Sequence, residues 1–370
     1  MVGDGGAAKR HRISGVIPNN GGAGGASNLS MNRWAGVLSL LLCGAIAPGA
    51  ARAQGALPQS VLKSLPPLVG SLDLRSTPVF PSVARKTVAW SYLPPGYSDP
   101  RNSNRRYPVV YLMHGEPGGW TDCFLNGRVQ VMADKLIAAR QIEPMILVCV
   151  DGSGPRGPRD MTNFVNRADG YNVEQMIARE LVPWVDATYR TVADADHRAL
   201  WGYSAGGYAA LNIGFHSPQT FRVLCSHAGF YQPSGDAKVM QAVLGPPSHL
   251  WDANSPMLTL AALPPRAPLH IYLDESPVSK EWPDYQLLVT KLRERGLDVQ
   301  ADVVPKAHSW PMLREHCANS LAFASRCFAA ARAKGEVVAA PPAKDDGARD
   351  DAGSGEATPT DTATSAPGLF

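Results

Sequence analysis

The chain has 370 residues, 45% of them hydrophobic and 18% charged, with 35 glycines and 32 prolines. That is globular composition for one large domain or two ordinary ones, and it excludes collagen, a coiled coil and wholesale disorder. The net charge of +3 is unevenly spread: residues 1–53 carry Lys9, Arg10, Arg12, Arg33 and Arg52 against Asp4, and residues 335–370 carry two basic and seven acidic groups, which leaves 28 basic and 24 acidic groups over 54–334. A surplus of four charges on a body of that size, with no zinc-finger spacing or basic stripe, excludes nucleic acid as a partner.

From Met31 the chain reads as a secretory signal. Basic Arg33 is followed by an apolar stretch from Trp34 to about Ile46 and a small-x-small end at Ala51-Arg52-Ala53. The stretch falls short of the roughly 20 residues a spanning helix needs, so no stable membrane anchor is expected. The leader is assigned to 1–53, with a true start at Met31, and the product is expected in the periplasm or outside the cell. Cys43 does not suit lipidation, because Leu41 and Leu42 precede it where small residues are wanted. Residues 54–80 read as a linker and 334–370, rich in Ala, Pro, Asp, Gly and Thr, as a disordered acidic tail.

Between 81 and 333, strand-like and helix-like runs alternate. Lys86–Leu93 is stopped by Pro94-Pro95-Gly96. Val109–Met113 and Met145–Val150 are short, continuously apolar runs of the kind buried on both faces. A helix is predicted between them over Val129–Arg140, and another over Val173–Thr188. Strands follow at Ala199–Tyr203, Phe221–Ser226, Leu269–Leu273 and Val299–Val304, and helices at 205–215, Pro283–Arg295 and Pro311–Lys334. Such alternation predicts a mostly parallel central sheet with helices on both faces. The Pro- and Gly-rich stretch 232–266 reads as an insertion over the top of the sheet. Cys149 and Cys225 fall in strand-like runs as small buried hydrophobes, Cys317 and Cys327 lie on one helix pointing apart, and Cys123 sits in a loop.

Gly202-Tyr203-Ser204-Ala205-Gly206 is the chain's one G-x-S-x-G. Its context, an apolar strand before and a helix after, is the turn that exposes a nucleophilic serine. A serine hydroxyl is too weakly acidic to attack unaided, so a base is required. His308 suits: it follows the last strand in a loop ahead of the closing helix. His227, after a strand, is a second histidine able to line a pocket. Two N–H donors are needed where a carbonyl oxygen turns negative. The Ala205 amide at the helix start is one. The Glu116 amide, in the glycine loop His114-Gly115-Glu116-Pro117-Gly118-Gly119, is the other. Trp120, Trp282 and Trp310 lie in loops near strand ends, where they line an acyl pocket or cover the core. No metal-ligand spacing, P-loop or dinucleotide motif occurs, so no metal or cofactor is expected.

These segments resemble the esterase branch of the α/β hydrolases, which includes feruloyl and enterochelin esterases, S-formylglutathione hydrolase and antigen 85 mycolyltransferases. The resemblance is carried by Leu93-Pro94-Pro95-Gly96-Tyr97, Leu112-Met113-His114-Gly115, Gly202-Tyr203-Ser204-Ala205-Gly206-Gly207-Tyr208 and His308-Ser309-Trp310, over roughly 86–330. It implies the α/β-hydrolase fold, Ser204 as nucleophile, His308 as base and the Glu116 and Ala205 amides as oxyanion hole. His114, Gly115, Trp120, Tyr203 and Trp310 are placed at the substrate. The acid departs from the pattern. The family turn Gly-x-x-Asp/Glu-Pro meets Leu273-Asp274-Glu275-Ser276-Pro277 here, which puts Ser276 in the acid slot. Glu275 is the favoured acid and Asp274 the alternative, with Glu281 or Asp284 requiring a longer loop. The function expected is cleavage of a small-molecule or carbohydrate-linked carboxylic ester through an acyl-enzyme. Acyl transfer to a sugar or lipid hydroxyl, or ligand binding without catalysis, are the alternatives.

Overall fold

The computed structural model describes residues 65–305 and 308–339, the side chains of 335–339 excepted. The expected leader and its Met31 start, Cys43, the first part of the expected linker and the tail beyond 339 lie outside them.

Eight strands form one sheet: β1 (Ser71–Phe80), β2 (Arg85–Leu93), β3 (Val109–Met113), β4 (Ile146–Val150), β5 (Arg198–Tyr203), β6 (Val223–His227), β7 (His270–Glu275) and β8 (Asp298–Val303). Their order across the sheet is β1-β2-β4-β3-β5-β6-β7-β8. The β1–β2 and β2–β4 pairs are antiparallel and all the others parallel. The strands of the parallel centre are buried throughout because both faces are covered, which is why β3 reads VVYLM and β4 ILVCV. Along β3 the side chains alternate between two cores: Val109, Tyr111 and Met113 enter one, Val110 and Leu112 the other. The second core is closed by α1 (Val129–Ala138) and the first by the helical run α2 (Val173–Thr188), both matching the expected helices.

Helix α2 runs through three contiguous pieces, Val173–Gln175, Met176–Leu181 and Val182–Thr188, the middle one π-helical. Pro183 lacks an N–H to donate, and the widened turn just before it accommodates that loss. Helix α3 (Ala205–His216) is buried along all but its last residue and lies against β5 and β6. The 232–266 stretch is more regular than expected, with α4 (Ala237–Leu244) and four shorter helical pieces. It is tied to α3 by Tyr208 Oη, which donates to the Asn254 carbonyl at 2.6 Å. Helices α5 (Trp282–Glu294) and α6 (Trp310–Ala339) complete the layers.

Two boundaries are corrected. Residues 71–80, expected in the linker, pair with β2 as the edge strand of the sheet. The closing helix runs on to Ala339, so the first residues assigned to the tail are helical. The five cysteines among the described residues are free and buried, Cys149 and Cys225 as expected. Cys123 lies in a short helix, Asp122–Leu125, rather than a loop.

Chain order fixes where a site can form. The chain runs from β3 outward to β4 on one side, then returns to place β5 on the other, so the carboxyl ends of β3 and β5 flank a crevice at the reversal. The loops carrying His114 and Ser204 leave from those two ends.

Candidate active site

Strand β5 ends at Tyr203 and α3 begins at Ala205, leaving Ser204 alone at the corner with φ 60° and ψ −119°. A non-glycine residue held there is strained, and the surrounding contacts hold it. Ser204 N–H donates to the His227 carbonyl at 2.9 Å, and Tyr208 N–H to the Ser204 carbonyl at 3.0 Å. The flanking glycines are steric requirements. A Cβ on Gly202 would lie 2.0 Å from the Gly206 carbonyl oxygen, and one on Gly206 would lie 2.2 Å from that of Met113.

The glycine loop after β3 comes up against this corner: a Cβ on Gly115 would sit 3.2 Å from the Ser204 Cβ. His114 holds it in place. The Gly152 N–H donates to His114 Nε2 at 3.2 Å, so Nδ1 carries the proton and donates to the Gly115 carbonyl at 2.9 Å. Burial lowers the pKa of this imidazole and favours that neutral form. Because a trans peptide sets its C=O and N–H in opposite directions, fixing the Gly115 carbonyl also aims the Glu116 N–H. The Glu116 side chain turns elsewhere. Its carboxylate accepts the N–H groups of Thr162 and Asn163, each at 2.9 Å, and burial pushes its pKa up to about 7. Among the described residues, the Glu116 and Ala205 amides have no hydrogen-bond acceptor. The two expected donors are therefore unengaged beside the serine.

The two candidate acids part company. Asp274 is fully buried, and its Oδ2 accepts from His227 Nδ1 at 2.6 Å and Tyr272 Oη at 3.2 Å. His227 Nε2 meets Ser320 Oγ at 2.8 Å, and Trp201 Nε1 donates to the same oxygen at 2.8 Å. Ser320, His227 and Asp274 thus look like a triad, but all three are sealed in the core. They brace β6 and β7 against α6. His227 is accordingly no pocket residue, although its carbonyl accepts the Ser204 amide. Replacing Asp274 by alanine should lower unfolding free energy by about 3 kcal/mol, since it leaves the buried Nδ1 of His227 without its hydrogen-bond partner. Urea unfolding would measure this.

Glu275 is only 1% exposed, yet it keeps an oxygen in reserve. Its Oε1 accepts the Ser276 N–H at 2.9 Å, and Oε2 has no partner. Burial pushes its pKa up to about 7. Of the other candidates, Asp284 accepts from Gln232 Nε2 at 2.6 Å and Glu281 pairs with Lys280 at 3.4 Å. Ser276 is buried and holds no charge.

His308, just ahead of α6, meets Tyr203, the residue before Ser204. Its Nδ1 lies 3.0 Å from Tyr203 Oη, and the two ring centroids are 4.7 Å apart. Partial desolvation, and then the charge of Lys280, lower the pKa of this otherwise exposed imidazole. No hydrogen bond joins His308 to Ser204, Asp274 or Glu275 among the described residues. Trp310 packs on Tyr203 at 5.0 Å, Trp120 meets Trp90 edge-on at 5.8 Å, and Trp282 stacks on Tyr285 at 5.2 Å. The expected substrate contact of His114 is corrected: it is fully buried with both ring nitrogens on backbone groups. That of Tyr203 is corrected too, its hydroxyl being turned to His308.

One His/Cys/Asp group does occur, which linear spacing could not show. His270, Asp298 and Cys327, from β7, β8 and α6, bring donor atoms within 4.8 Å of one another. His270 and Asp298 are register partners at the amino ends of their strands, remote from Ser204, and already bond at 2.7 Å. Among the described residues no helix is long and apolar enough to cross a membrane.

This architecture and corner are shared with known proteins. The family model described as "Putative esterase" matches residues 81–311, and the chain belongs to that family, with the α/β-hydrolase fold. An endo-1,4-beta-xylanase/feruloyl esterase of Xylanibacter ruminicola is 31% identical over 146 residues, covering 38% of this chain and 19% of that protein. Esterase Rv1288 of Mycobacterium tuberculosis is 36% identical over 133 residues, covering 35% of this chain and 27% of that protein. The chain thus spans about a fifth to a quarter of the length of these relatives. A ferulic acid esterase structure superposes with TM-score 0.61 at 20% identity, covering 70% of this chain and 99% of that one. An S-formylglutathione hydrolase from Agrobacterium tumefaciens gives 0.60 at 14%, covering 71% and 97%.

Proposed function

We propose that the protein is an exported serine esterase that cleaves a small-molecule or carbohydrate-linked carboxylic ester. The observation that carries this reading is Ser204 itself, strained at φ 60° on the strand–helix corner with two unengaged amides beside it. His308 Nε2 takes the Ser204 proton as Oγ attacks the ester carbonyl. The Glu116 and Ala205 amides hold the oxyanion, a role worth about 3 kcal/mol per donor in other acyl-transfer sites. The proton passes from His308 to the leaving alcohol, and water then cleaves the acyl-enzyme by the same route in reverse. Glu275 supplies the negative charge of the triad, because Asp274 is committed to His227. The reading needs no cofactor, no metal and no nucleic acid. Export rests on the Met31–Ala53 signal, without a stable membrane anchor.

A fluorophosphonate probe should label the purified protein, and peptide mapping should place the adduct on Ser204. Hydrolysis of feruloyl, acetyl, short-chain acyl and catecholate esters would then fix the acyl class. A carbohydrate acceptor added to the assay would reveal any acyl transfer. Absence of both labelling and turnover across that panel would overturn the assignment.

A further inference from the structure

An imidazole acting as a base needs a partner on Nδ1 that fixes its tautomer and turns Nε2 toward the nucleophile. No carboxylate hydrogen-bonds His308 among the described residues. The atom that does stand at Nδ1 is the phenol oxygen of Tyr203, at 3.0 Å. We propose that Tyr203 is the positioning residue for the base: its oxygen accepts the Nδ1–H of His308 and so fixes the tautomer that leaves Nε2 bare. This rests on the Ser204–His308 reading above and adds what orients the base.

Three observations support the assignment. Tyr203 is only 4% exposed, its ring lies against both His308 and Trp310, and it is covalently joined to Ser204, so a hydroxyl placed there is held firmly relative to the nucleophile. Burial, and then the charges of Glu275 and Asp274, raise the pKa of this phenol, so it stays neutral and its oxygen can accept the Nδ1–H. In the reaction the Ser204 proton moves to Nε2 and on to the leaving group, and Tyr203 keeps its proton throughout.

Tyr203→Phe keeps the ring and removes only the oxygen. The kcat for an aryl ester should fall about ten- to a hundredfold with KM unchanged, the range expected for a lost hydrogen bond to a charged group. Nitrogen NMR of the full chain, with the His308 signals assigned by their loss in His308→Gln, should show a protonated Nδ1 and bare Nε2, becoming a tautomer mixture in Tyr203→Phe. A wild-type kcat in Tyr203→Phe, or an unchanged His308 spectrum, would overturn the proposal. Failure of the esterase reading is separable: it would show as no labelling and no turnover in the parent protein, while the spectrum still decides the role of Tyr203.

Discussion

Ser204→Ala should lower ester turnover by at least about 10⁴-fold and abolish fluorophosphonate labelling, because removal of a nucleophile leaves only what the oxyanion donors and binding supply. The fold should persist. The hydrogen bonds recorded at this residue run through its backbone, from its N–H to His227 and to its carbonyl from Tyr208, and alanine retains both. Alanine at φ 60° carries the strain that serine already bears, so stability should change by under about 1 kcal/mol. Loss of rate with an unchanged urea midpoint is then a chemical effect. Turnover within tenfold of the parent would mean that another group attacks the ester.

What could be read from the chain followed from how locally each feature is determined. Strand β3 is legible to the residue because a strand covered on both faces must be apolar at every position. Strand β1 is not, because it is an edge: Leu72 and Leu74 alternate with Asp73 and Arg75, Pro78 falls where its register with β2 shifts, and the strand gains its place from pairing rather than pattern. Helix α6 continues past its expected end at Lys334, because one glycine inside a helix costs only about 1 kcal/mol.

The site divides in the same way. The Gly202-Tyr203-Ser204-Ala205-Gly206 corner is a five-residue steric problem, so its residue types show in the sequence. Which acid serves is not local. Asp274 is claimed by His227, 47 residues earlier, and by way of it Ser320, and neither partner can be inferred from the turn after β7. The same holds for His114, whose ring nitrogen is occupied by the Gly152 amide, and for Tyr203, whose hydroxyl meets a histidine 105 residues on.

Gly202→Ala should be the most damaging small substitution in the chain. Its new Cβ would lie 2.0 Å from the Gly206 carbonyl oxygen, 2.1 Å from the carbon and 2.8 Å from the Gly207 nitrogen. All three are backbone atoms in the first turn of α3, so no side-chain rotation relieves the clash. Nor can the turn retreat as a unit, because Gly206 is itself packed on the other side, where its own Cβ would stand 2.2 Å from the Met113 carbonyl oxygen. Strand β5, helix α3 and the end of β3 therefore meet at separations that admit only hydrogen at these two positions. A forced insertion of this kind should cost more than about 3 kcal/mol, and relief by moving α3 would carry the Ala205 amide out of the proposed oxyanion site. Gly245→Ala is the control: with φ 80° but nothing within 4 Å of the new Cβ, it should cost about 1 kcal/mol of backbone strain and leave labelling intact. Urea unfolding and probe labelling of the two variants side by side test the contrast. A folded Gly202→Ala protein that labels at the parent rate would show that strand and helix stand farther apart than the corner at Ser204 requires.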